Sequence, residues 1–386
     1  MESAKMLRKF VAPEFIFGVG ARHLAGQYAS NFDVETVLVV TDPGVTGAGW
    51  AGQVIQSLEK EGLRCVVFSQ VSPNPRSEEV MAGAEVYLSS GCNGIVAVGG
   101  GSPMDCAKGI GIVCSNRRHI LEFEGVDRVE IPIDPLICIP TTGGTSADVS
   151  QFCIISNRQS RVKIAIISKA VVPDVALIDP ETLVSMDAHL TACSGLDALV
   201  HAIEAYVSNA SSPITDLHAL EAIRLISGNI VQSVKNPGDL ELRTRIMLGS
   251  LEAGMAFSNA SLGCVHAMAH SLGGLLDMAH GECNALLLRH VMAYNFDAAR
   301  ERYQAVGASM GLNLKGLNLA GTKAAVLDGV DRLRLAAGVQ GALGNRGMKT
   351  SDIPELAGNA LNDACMATNP RQPTRRDIEV VYEEAL

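Results

Sequence analysis

The sequence predicts an α/β domain over residues 1–186, followed by an all-helical domain over residues 187–386. Two observations support this division. Between about residues 36 and 180, short β-branched runs alternate with helical patterns, which is typical of a parallel sheet covered by helices on both faces. After about residue 181 the strand signals stop, and amphipathic helical patterns follow one another. With 386 residues, 47% of them hydrophobic, the chain is long enough to bury two cores.

Six short runs in the first half are predicted to be strands, because each is rich in valine and isoleucine and is bounded by turn residues. They cover residues 36–40, 64–68, 94–98, 136–139, 163–167 and 175–178. Their near-continuous apolar character indicates strands that are buried on both faces, as in a parallel sheet.

Helical periodicity dominates the second half, and the first four helices are predicted at 191–207, 216–233, 241–257 and 262–272. Breaks are expected at residues 211–213, 236–238 and 273–274, where serine, proline, asparagine and glycine cluster. We find no internal repeat and no low-complexity linker, so the two halves are expected to pack directly, with a cleft between them.

Composition excludes several classes of partner. The formal net charge is −10, and such a field repels phosphate backbones, so we expect no nucleic-acid partner. Residues 1–9 are charged and precede no apolar signal segment, and no stretch offers about 20 uninterrupted apolar residues. The ten cysteines occur singly, without CxxC pairs, as in reduced proteins. We therefore expect no membrane association and a cytoplasmic location.

A glycine-rich turn at residues 94–105 is a candidate phosphate site. A buried strand leads into Gly99–Gly101, where the backbone can approach a ligand closely. Ser102 suits a helix N-cap, Pro103 suits the first helical position, and Asp105 is expected in the first turn. Free N–H groups and the helix dipole would then face a pyrophosphate. A turn without a ligand is the alternative, because GGGS differs from the usual GxGxxG pattern.

Two further segments indicate a nucleotide. Asp42 follows the first predicted strand, where a carboxylate can accept hydrogen bonds from a ribose diol and repel a 2′-phosphate, which favours NAD over NADP. The alternative is an ordinary turn residue. Residues 140–145 (PTTGGT) follow another strand, and their hydroxyl groups could hold the nicotinamide end, or the segment could be a plain loop.

Histidines and one aspartate cluster in the helical half. Asp197 and His201 are four residues apart, hence on one face of a helix, and His266, His270 and His280 follow within fifteen positions. A lone histidine in such apolar surroundings is more often a satisfied core residue, but burying this many is costly unless they bind a metal. One carboxylate with imidazoles suits Fe(II) or Zn(II). Beside a nicotinamide, the ion would act as a Lewis acid on an alcohol oxygen.

These residues lie in motifs that run through nearly the whole chain. The motifs are VSPNP (71–75), GGGSPMD (99–105), PTTGGT (140–145), GLDALVHAIEAY (195–206), GMAFSN (254–259), the histidine segment 266–280 and ATNPR (367–371). In them the chain resembles the iron-containing (group III) alcohol dehydrogenases, a family that includes lactaldehyde reductases, 1,3-propanediol dehydrogenases and bacterial methanol dehydrogenases.

The resemblance implies a Rossmann-like nucleotide-binding domain followed by an all-α metal-binding domain, in a dehydroquinate-synthase-like architecture. It implies NAD-linked oxidation of a small primary alcohol or diol, or reduction of the aldehyde, with Fe(II), in a homodimer or larger homo-oligomer. The implied metal ligands are Asp197, His201, His266 and His280. His270 becomes a catalytic residue near the nicotinamide and a candidate proton relay. Phe257 resembles a wall of the substrate channel, or a plain packing aromatic. The implied cofactor contacts are Asp42, Asn74, Gly100, Gly101, Ser102, Thr141, Thr142, Thr145, Ile154, Lys163 and Leu183.

The chain departs from the family pattern at a few positions. Residues 144–148 read GTSAD where the family commonly has a glycine-rich segment ending in Ser-Glu, which could alter the nicotinamide pocket. Arg289 and Ala279 replace usual prolines near the last histidine. None of these changes removes an implied ligand, so we expect activity with a shifted substrate preference.

Two other readings remain open. One is another metal enzyme of the same architecture, such as a glycerol dehydrogenase or a dehydroquinate-synthase-like lyase. A lyase acting on phosphate-bearing substrates would need a basic pocket, and the helical half has few clustered lysines or arginines. The other is a regulatory member that binds nucleotide without turnover, which would be expected to lack a metal ligand.

Overall fold

The computed structural model describes residues 9–386. The prediction made for the charged segment 1–9 therefore falls, apart from Lys9, outside the described residues. Nine strands occur in the described chain: β1 (Glu14–Phe17), β2 (Thr36–Val40), β3 (Arg64–Phe68), β4 (Gly94–Gly99), β5 (Gly125–Val126), β6 (Leu136–Pro140), β7 (Phe152–Asn157), β8 (Val162–Ile167) and β9 (Val175–Ile178).

The main sheet has six strands in the order β1-β9-β6-β4-β2-β3, and every pair in it is parallel. Helices cover both faces, which explains the continuous apolar runs. Leu38 and Val40 face one core, and Val37 and Val39 face the other, because successive side chains of a strand point to opposite sides. The predicted parallel sheet is confirmed for five of its six predicted strands.

The sixth predicted strand, 163–167, is a strand but does not belong to the parallel sheet. As β8 it pairs antiparallel with β7 and parallel with β5 in a small second sheet. Only residues 158–161 separate β7 from β8, and such a short connection allows antiparallel but not parallel pairing. The strands β1, β5 and β7 were not predicted.

Five helices of the α/β half cover the main sheet: α1 (Ala25–Asn31), α2 (Pro43–Gly47), α3 (Trp50–Lys60), α4 (Ser77–Ser89) and α5 (Gly101–Asn116). The core on one face of the sheet packs against α4 and α5, and the core on the other face packs against α1 and α3. Helices therefore lie on both sides, as the alternating pattern predicted.

Residues 187–386 contain helices and no strand, as predicted. Its helices are α6 (Ala188–Val207), α7 (Pro213–Lys235), α8 (Leu240–Ala260), α9 (Cys264–Leu276), α10 (His280–Asn295), α11 (Arg300–Ser309), α12 (Leu319–Ala336), α13 (Ile353–Asn362) and α14 (Arg375–Ala385). Asp187, Ser212 and Asp239 cap α6, α7 and α8 by accepting backbone N–H groups. The predicted breaks at 211–213 and 236–238 are confirmed.

The break predicted at Gly273 and Gly274 is wrong, because α9 runs through both and ends where Asp277 takes a left-handed conformation (φ 53°). A Cβ on Gly274 would lie 2.5 Å from the carbonyl oxygen of Arg161, and one on Gly273 would lie 2.8 Å from Lys163 Nζ. The two glycines therefore let α9 pack directly against β8 rather than ending the helix.

The predicted domain boundary after residue 186 stays a prediction. That position lies between a short 3-10 helix, Pro180–Ser185, and α6. Ala176 and Ile178 of β9 belong to the same apolar core as the helical half, so the two halves are packed together. No helix in residues 9–386 combines the length and the apolar character needed to cross a membrane.

Candidate active site

A cleft of 1110 Å³ lies between the sheet and the helical half. It brings together all but one of the residues that the sequence analysis selected: Asp42, Asn74, Gly100, Gly101, Ser102, Thr141, Thr142, Thr145, Ile154, Lys163, Asp197, His201, Phe257, His266, His270 and His280. The exception is Leu183, which is fully buried in the helical core behind Gly143. The structure places Leu183 behind the cleft wall rather than in it.

The α/β side of the cleft is formed where three neighbouring strands end. Asp42 follows β2, Gly100 follows β4 and Thr141 follows β6, and β4 lies between the other two in the sheet. Ligands of open parallel sheets bind outside the carboxyl ends of the strands. The predicted cofactor segments are therefore adjacent in space although about 100 residues separate the first from the last.

The glycine-rich turn differs in detail from the prediction. The helix α5 begins at Gly101 with Gly100 as its N-cap, so Ser102 is not the N-cap and Asp105 lies just beyond the first turn. Burial raises the pKa of Asp105 to about 7. A Cβ on Gly100 would lie 3.1 Å from Thr142, and one on Gly101 would lie 2.9 Å from Thr145. The absence of side chains at Gly100 and Gly101 thus allows the 140–145 loop to pack against the start of α5.

Two side chains on this wall bear on ligand binding. The Thr142 hydroxyl is buried and has no hydrogen-bond partner among residues 9–386, which is unusual unless a ligand completes it. Asp42 Oδ1 accepts the Val45 N–H at 2.9 Å and so caps α2. Asp42 is therefore a turn residue, which was the alternative given above, and the same carboxylate also lines the cleft.

Four predicted metal ligands meet at the helical side of the cleft. Asp197 and His201 lie on α6, His266 on α9, and His280 is the first residue of α10. Their ligand atoms all lie within 4.8 Å of one another, and the Nε2 atoms of His266 and His280 are each 3.8 Å from Asp197 Oδ1. One carboxylate and three imidazoles at these separations can share a single divalent ion.

Close packing between α10 and α6 brings His280 to the other ligands. A Cβ on Gly281 would lie 2.4 Å from the carbonyl oxygen of Cys193, so only glycine allows the start of α10 to lie this near α6. On α6 itself, the four-residue spacing directs Asp197 and His201 to the same side.

Burial keeps the three imidazoles neutral. Desolvation lowers the pKa of His201 to about 4 and that of His266 to about 3, and it lowers the pKa of His280 well below its ordinary value. A neutral imidazole offers a lone pair on one ring nitrogen, which is the form that binds a metal.

Glu204, which the sequence analysis did not single out, orients His266. Its Oε2 accepts the hydrogen bond from His266 Nδ1 at 2.6 Å, and its Oε1 accepts the Val265 N–H at 2.7 Å. Fixing the proton on Nδ1 leaves Nε2 free to bind an ion. Burial raises the pKa of Glu204 to about 7, and backbone N–H groups oppose that shift. The sequence signal that could have identified Glu204 is a carboxylate in an apolar helix, three residues after His201.

Asn284 was also missed. Its Nδ2 lies 2.6 Å from Asp197 Oδ1, 3.0 Å from His266 Nε2 and 3.2 Å from His280 Nε2. The side chain is completely buried and lies one helical turn after His280. This amide therefore lies among the donor atoms of three of the four prospective ligands, and with two hydrogens it can donate to two of them at a time.

His270 lies beside the four-residue cluster and is not part of it. Its ring stacks on His280 at 5.2 Å between centroids, and its Nδ1 is 2.8 Å from Asp363 Oδ2. Asp363 also accepts the Cys365 N–H, so this carboxylate is held on both sides. The contact leaves His270 Nε2 as the ring atom able to exchange a proton, and the relay role expected for this residue stays a prediction.

Aromatic side chains form the wall next to the four candidate ligands. Phe257 stacks on His201, with 4.3 Å between ring centroids, and meets Phe152 edge to face at 5.5 Å. Both phenylalanines line the cleft. Phe257 and Phe152 thus form one apolar surface of the cleft, and the role of Phe257 as a wall of the substrate channel stays a prediction.

Comparison with known families covers nearly the entire chain. Residues 12–180 match the family model described as iron-containing alcohol dehydrogenase. Residues 191–386 match the model described as the C-terminal part of the Fe-containing alcohol dehydrogenase family.

Curated relatives match over almost their full length. The chain is 37% identical to 1,3-propanediol dehydrogenase of Klebsiella pneumoniae over 385 residues, which covers 99% of this chain and 100% of the relative. It is 34% identical to the NAD-dependent methanol dehydrogenase of Bacillus methanolicus, with 99% and 100% covered. It is 36% identical to lactaldehyde reductase of Escherichia coli strain K12, with 96% and 97% covered.

Solved structures agree with these matches. A 1,3-propanediol oxidoreductase superposes with a TM-score of 0.95 at 37% identity, covering 99% of this chain and 100% of that one. An alcohol dehydrogenase from Oenococcus oeni superposes with a TM-score of 0.95 at 34% identity, covering 98% and 100%.

Proposed function

The chain belongs to the iron-containing alcohol dehydrogenase family, and from that premise we propose that it interconverts a small primary alcohol or diol and its aldehyde, with NAD(H) and one Fe(II) ion. The observation that carries the proposal is that one cleft contains both the four-ligand cluster and the strand ends selected for the cofactor. Zn(II) also suits the donor set.

The residues present fit a divalent ion. We propose Asp197, His201, His266 and His280 as its ligands, because their donor atoms converge and burial keeps the rings neutral. Bound there, the ion supplies Lewis acidity toward an alcohol oxygen, and bound NAD supplies the hydride acceptor. Glu204 keeps the His266 proton on Nδ1, so that the other ring nitrogen faces the ligand cluster.

The opposite wall fits a dinucleotide. The start of α5 presents the positive end of a helix dipole to the cleft, and the unpartnered Thr142 hydroxyl would gain a partner. Asp42 supports NAD over NADP, because a carboxylate there disfavours a 2′-phosphate. The proposed contacts are Asp42, Asn74, Gly100, Gly101, Ser102, Thr141, Thr142, Thr145, Ile154 and Lys163.

The remaining residues move a proton and exclude water. His270 is proposed to exchange the alcohol proton through Nε2, while Asp363 holds its ring by Nδ1. Phe152 and Phe257 cover the apolar side of the substrate and keep water from the ligand cluster.

The relatives' names support a small substrate. They are called 1,3-propanediol dehydrogenase, NAD-dependent methanol dehydrogenase and lactaldehyde reductase, and each name refers to an alcohol or aldehyde of one to three carbons. We propose the same size class for this chain, with the alcohol chosen by the shape of the Phe152–Phe257 wall.

Substitution of one ligand tests the proposal. We expect His266→Ala to abolish Fe(II)-dependent NADH formation from short primary alcohols, measured anaerobically, while NADH still quenches the emission of Trp50, the single tryptophan, which lines the cleft. The matched control is His218→Ala, since His218 is a histidine bonded to Glu252 outside the ligand cluster. Wild-type activity in His266→Ala would reject the proposed site.

A further inference from the structure

A chain of hydrogen bonds joins the two halves of the molecule across the cleft. Lys163 Nζ donates to Asn74 Oδ1 at 2.7 Å. The Asn74 amide in turn donates from Nδ2 to Asp277 Oδ1 at 2.9 Å and to the Met278 carbonyl oxygen at 3.4 Å. Lys163 and Asn74 belong to the α/β half, and Asp277 and Met278 belong to the turn between α9 and α10. We call Lys163, Asn74 and Asp277 the interdomain bridge.

The two ends of the interdomain bridge lead to different parts of the site. Lys163 and Asn74 line the cleft on the side proposed for the cofactor. The turn 277–279 connects α9, which carries His266, to α10, which begins with His280. Only three residues make this turn, so a shift of the turn displaces His280 from the other proposed ligands.

The α/β end of the bridge is held in place, whereas the Asp277 side chain is 68% exposed. Lys163 is 9% exposed and lies against Gly273 of α9. The segment around Asn74 is tied to β7 by a hydrogen bond from Ser156 N to the Pro75 carbonyl oxygen at 2.8 Å. Asn74 itself has a left-handed backbone (φ 58°). The exposed Asp277 end is therefore the part of the bridge that a bound ligand can order.

We propose that the interdomain bridge makes cofactor and divalent-ion binding cooperative, with Asp277 as the positioning residue that joins the two sites. The inference rests on the proposed function. A ligand that orders the bridge lowers the ordering cost for the second ligand, and the coupling is reciprocal, so each ligand raises the affinity for the other by the same factor.

The coupling is measured as a ratio of two dissociation constants. NADH is titrated by quenching of Trp50 emission, once with chelator and once with saturating Zn²⁺, which does not undergo redox chemistry. We expect the wild-type protein to bind NADH about two- to tenfold more tightly with Zn²⁺, the range that one net hydrogen bond provides. In Asp277→Gly the ratio should fall toward one, since glycine accepts the left-handed backbone (φ 53°) and removes the Asn74 acceptor, together with the 4.0 Å contact between Asp277 and Arg76.

Two variants control the measurement. Asp277→Asn keeps an oxygen acceptor for Asn74 and tolerates left-handed backbone, so it should retain the wild-type ratio. Asp33→Gly replaces another exposed aspartate with left-handed backbone (φ 55°), between α1 and β2, and should also retain it.

The outcomes separate the bridge from the proposed function. If the wild-type ratio is one, or if Asp277→Gly keeps the wild-type ratio, the bridge does not couple the two sites. The proposed function is still supported in that case, provided that the protein binds NADH and Zn²⁺. A wild-type protein that binds neither NADH nor Zn²⁺ overturns both. Reciprocity gives a second readout, because Zn²⁺ affinity measured by competition with a chelating dye must rise with NADH by the same factor.

Discussion

Replacing Glu204 by glutamine changes which nitrogen of His266 carries the proton. In the structure Glu204 Oε2 accepts from His266 Nδ1 at 2.6 Å while Oε1 accepts from Val265 N at 2.7 Å. A glutamine oxygen can keep only one of these bonds, and its NH₂ group then faces the other donor. If the oxygen stays on Val265, the amide donates to Nδ1, and the ring proton moves to Nε2, the atom proposed to bind the ion.

The magnitude follows from the strength of the lost interaction. Glu204 is 4% exposed, and at a pH above its pKa of about 7, where it is ionised, a buried hydrogen bond to it contributes about 1.5–3 kcal/mol. Partners that orient a metal-binding histidine typically change metal affinity by about 10- to 100-fold when they are removed, which corresponds to about 1.4–2.8 kcal/mol. The two ranges agree, so we expect Glu204→Gln to weaken metal binding by about 10- to 100-fold.

Competition titrations measure this effect directly. Metal-free protein is titrated with Zn²⁺ against a chelating dye, and NADH binding is followed in parallel through Trp50 emission. Glu252→Gln is the matched control, because Glu252 also accepts from a histidine, His218 Nδ1, at 2.6 Å, outside the ligand cluster. A folded Glu204→Gln protein with wild-type Zn²⁺ affinity would refute the proposed role of Glu204.

Three further predictions test the cofactor wall, the domain packing and a buried carboxyl. Asp42→Gly should relax the preference for NAD over NADP at little cost to the α2 cap, measured as the ratio of kcat/KM values; a wild-type preference for NADP would contradict the ribose argument. Gly274→Ala should lower the free energy of unfolding by about 1–3 kcal/mol, because its Cβ would lie 2.5 Å from the Arg161 carbonyl oxygen; unchanged urea denaturation would contradict the close packing. Burial raises the pKa of Asp148 from 3.8 to about 6. The folded protein therefore holds this proton to higher pH than the unfolded chain, and the free energy of unfolding should fall by roughly 2 kcal/mol as pH rises from 4 to 6, out of about 3 kcal/mol lost in full between about pH 3 and 7. Asp148→Asn should remove this fall. The prediction is wrong if the free energy of unfolding depends on pH in the same way in the variant and in the wild-type protein.

Local patterns were sufficient to predict the strands of the main sheet except β1. Runs such as 36–40 and 94–98 are β-branched and bounded by turns, and these signals do not depend on distant residues. The placement of β8 depends on its pairing with β7, which was not recognised, so the strand was assigned to the wrong sheet. The supposed break at Gly273 and Gly274 failed for a similar reason, because the glycines are explained by tertiary contact with β8.

The four-residue spacing on a helix indicated two of the four candidate ligands, and spacing alone could not join the other two to them. Asp197 and His201 are one turn apart on a helix, whereas their convergence with His266 and His280 follows from packing between α6, α9 and α10. The N-cap expected at Ser102 was misplaced by two residues, since capping depends on the geometry of the turn.

The supporting residues lie beyond the reach of local patterns. Asp363 contacts a histidine 93 residues earlier in the chain, and Asp277 meets Asn74 across 203 residues. Periodicity and motif spacing carry no information about such pairs. Leu183 is different. The family resemblance implied that it contacts the cofactor, but in the structure it packs in the helical core behind the cleft wall.

We propose that Asp197, His201, His266 and His280 bind one divalent ion beside the cofactor. Anomalous diffraction from crystals of the Fe(II)-loaded protein with NADH tests it most directly. We expect a single strong anomalous peak within about 2.0–2.3 Å of one donor atom from each of the four side chains, facing the nicotinamide ring. A peak bound by other residues, or one that leaves out any of the four, would contradict it.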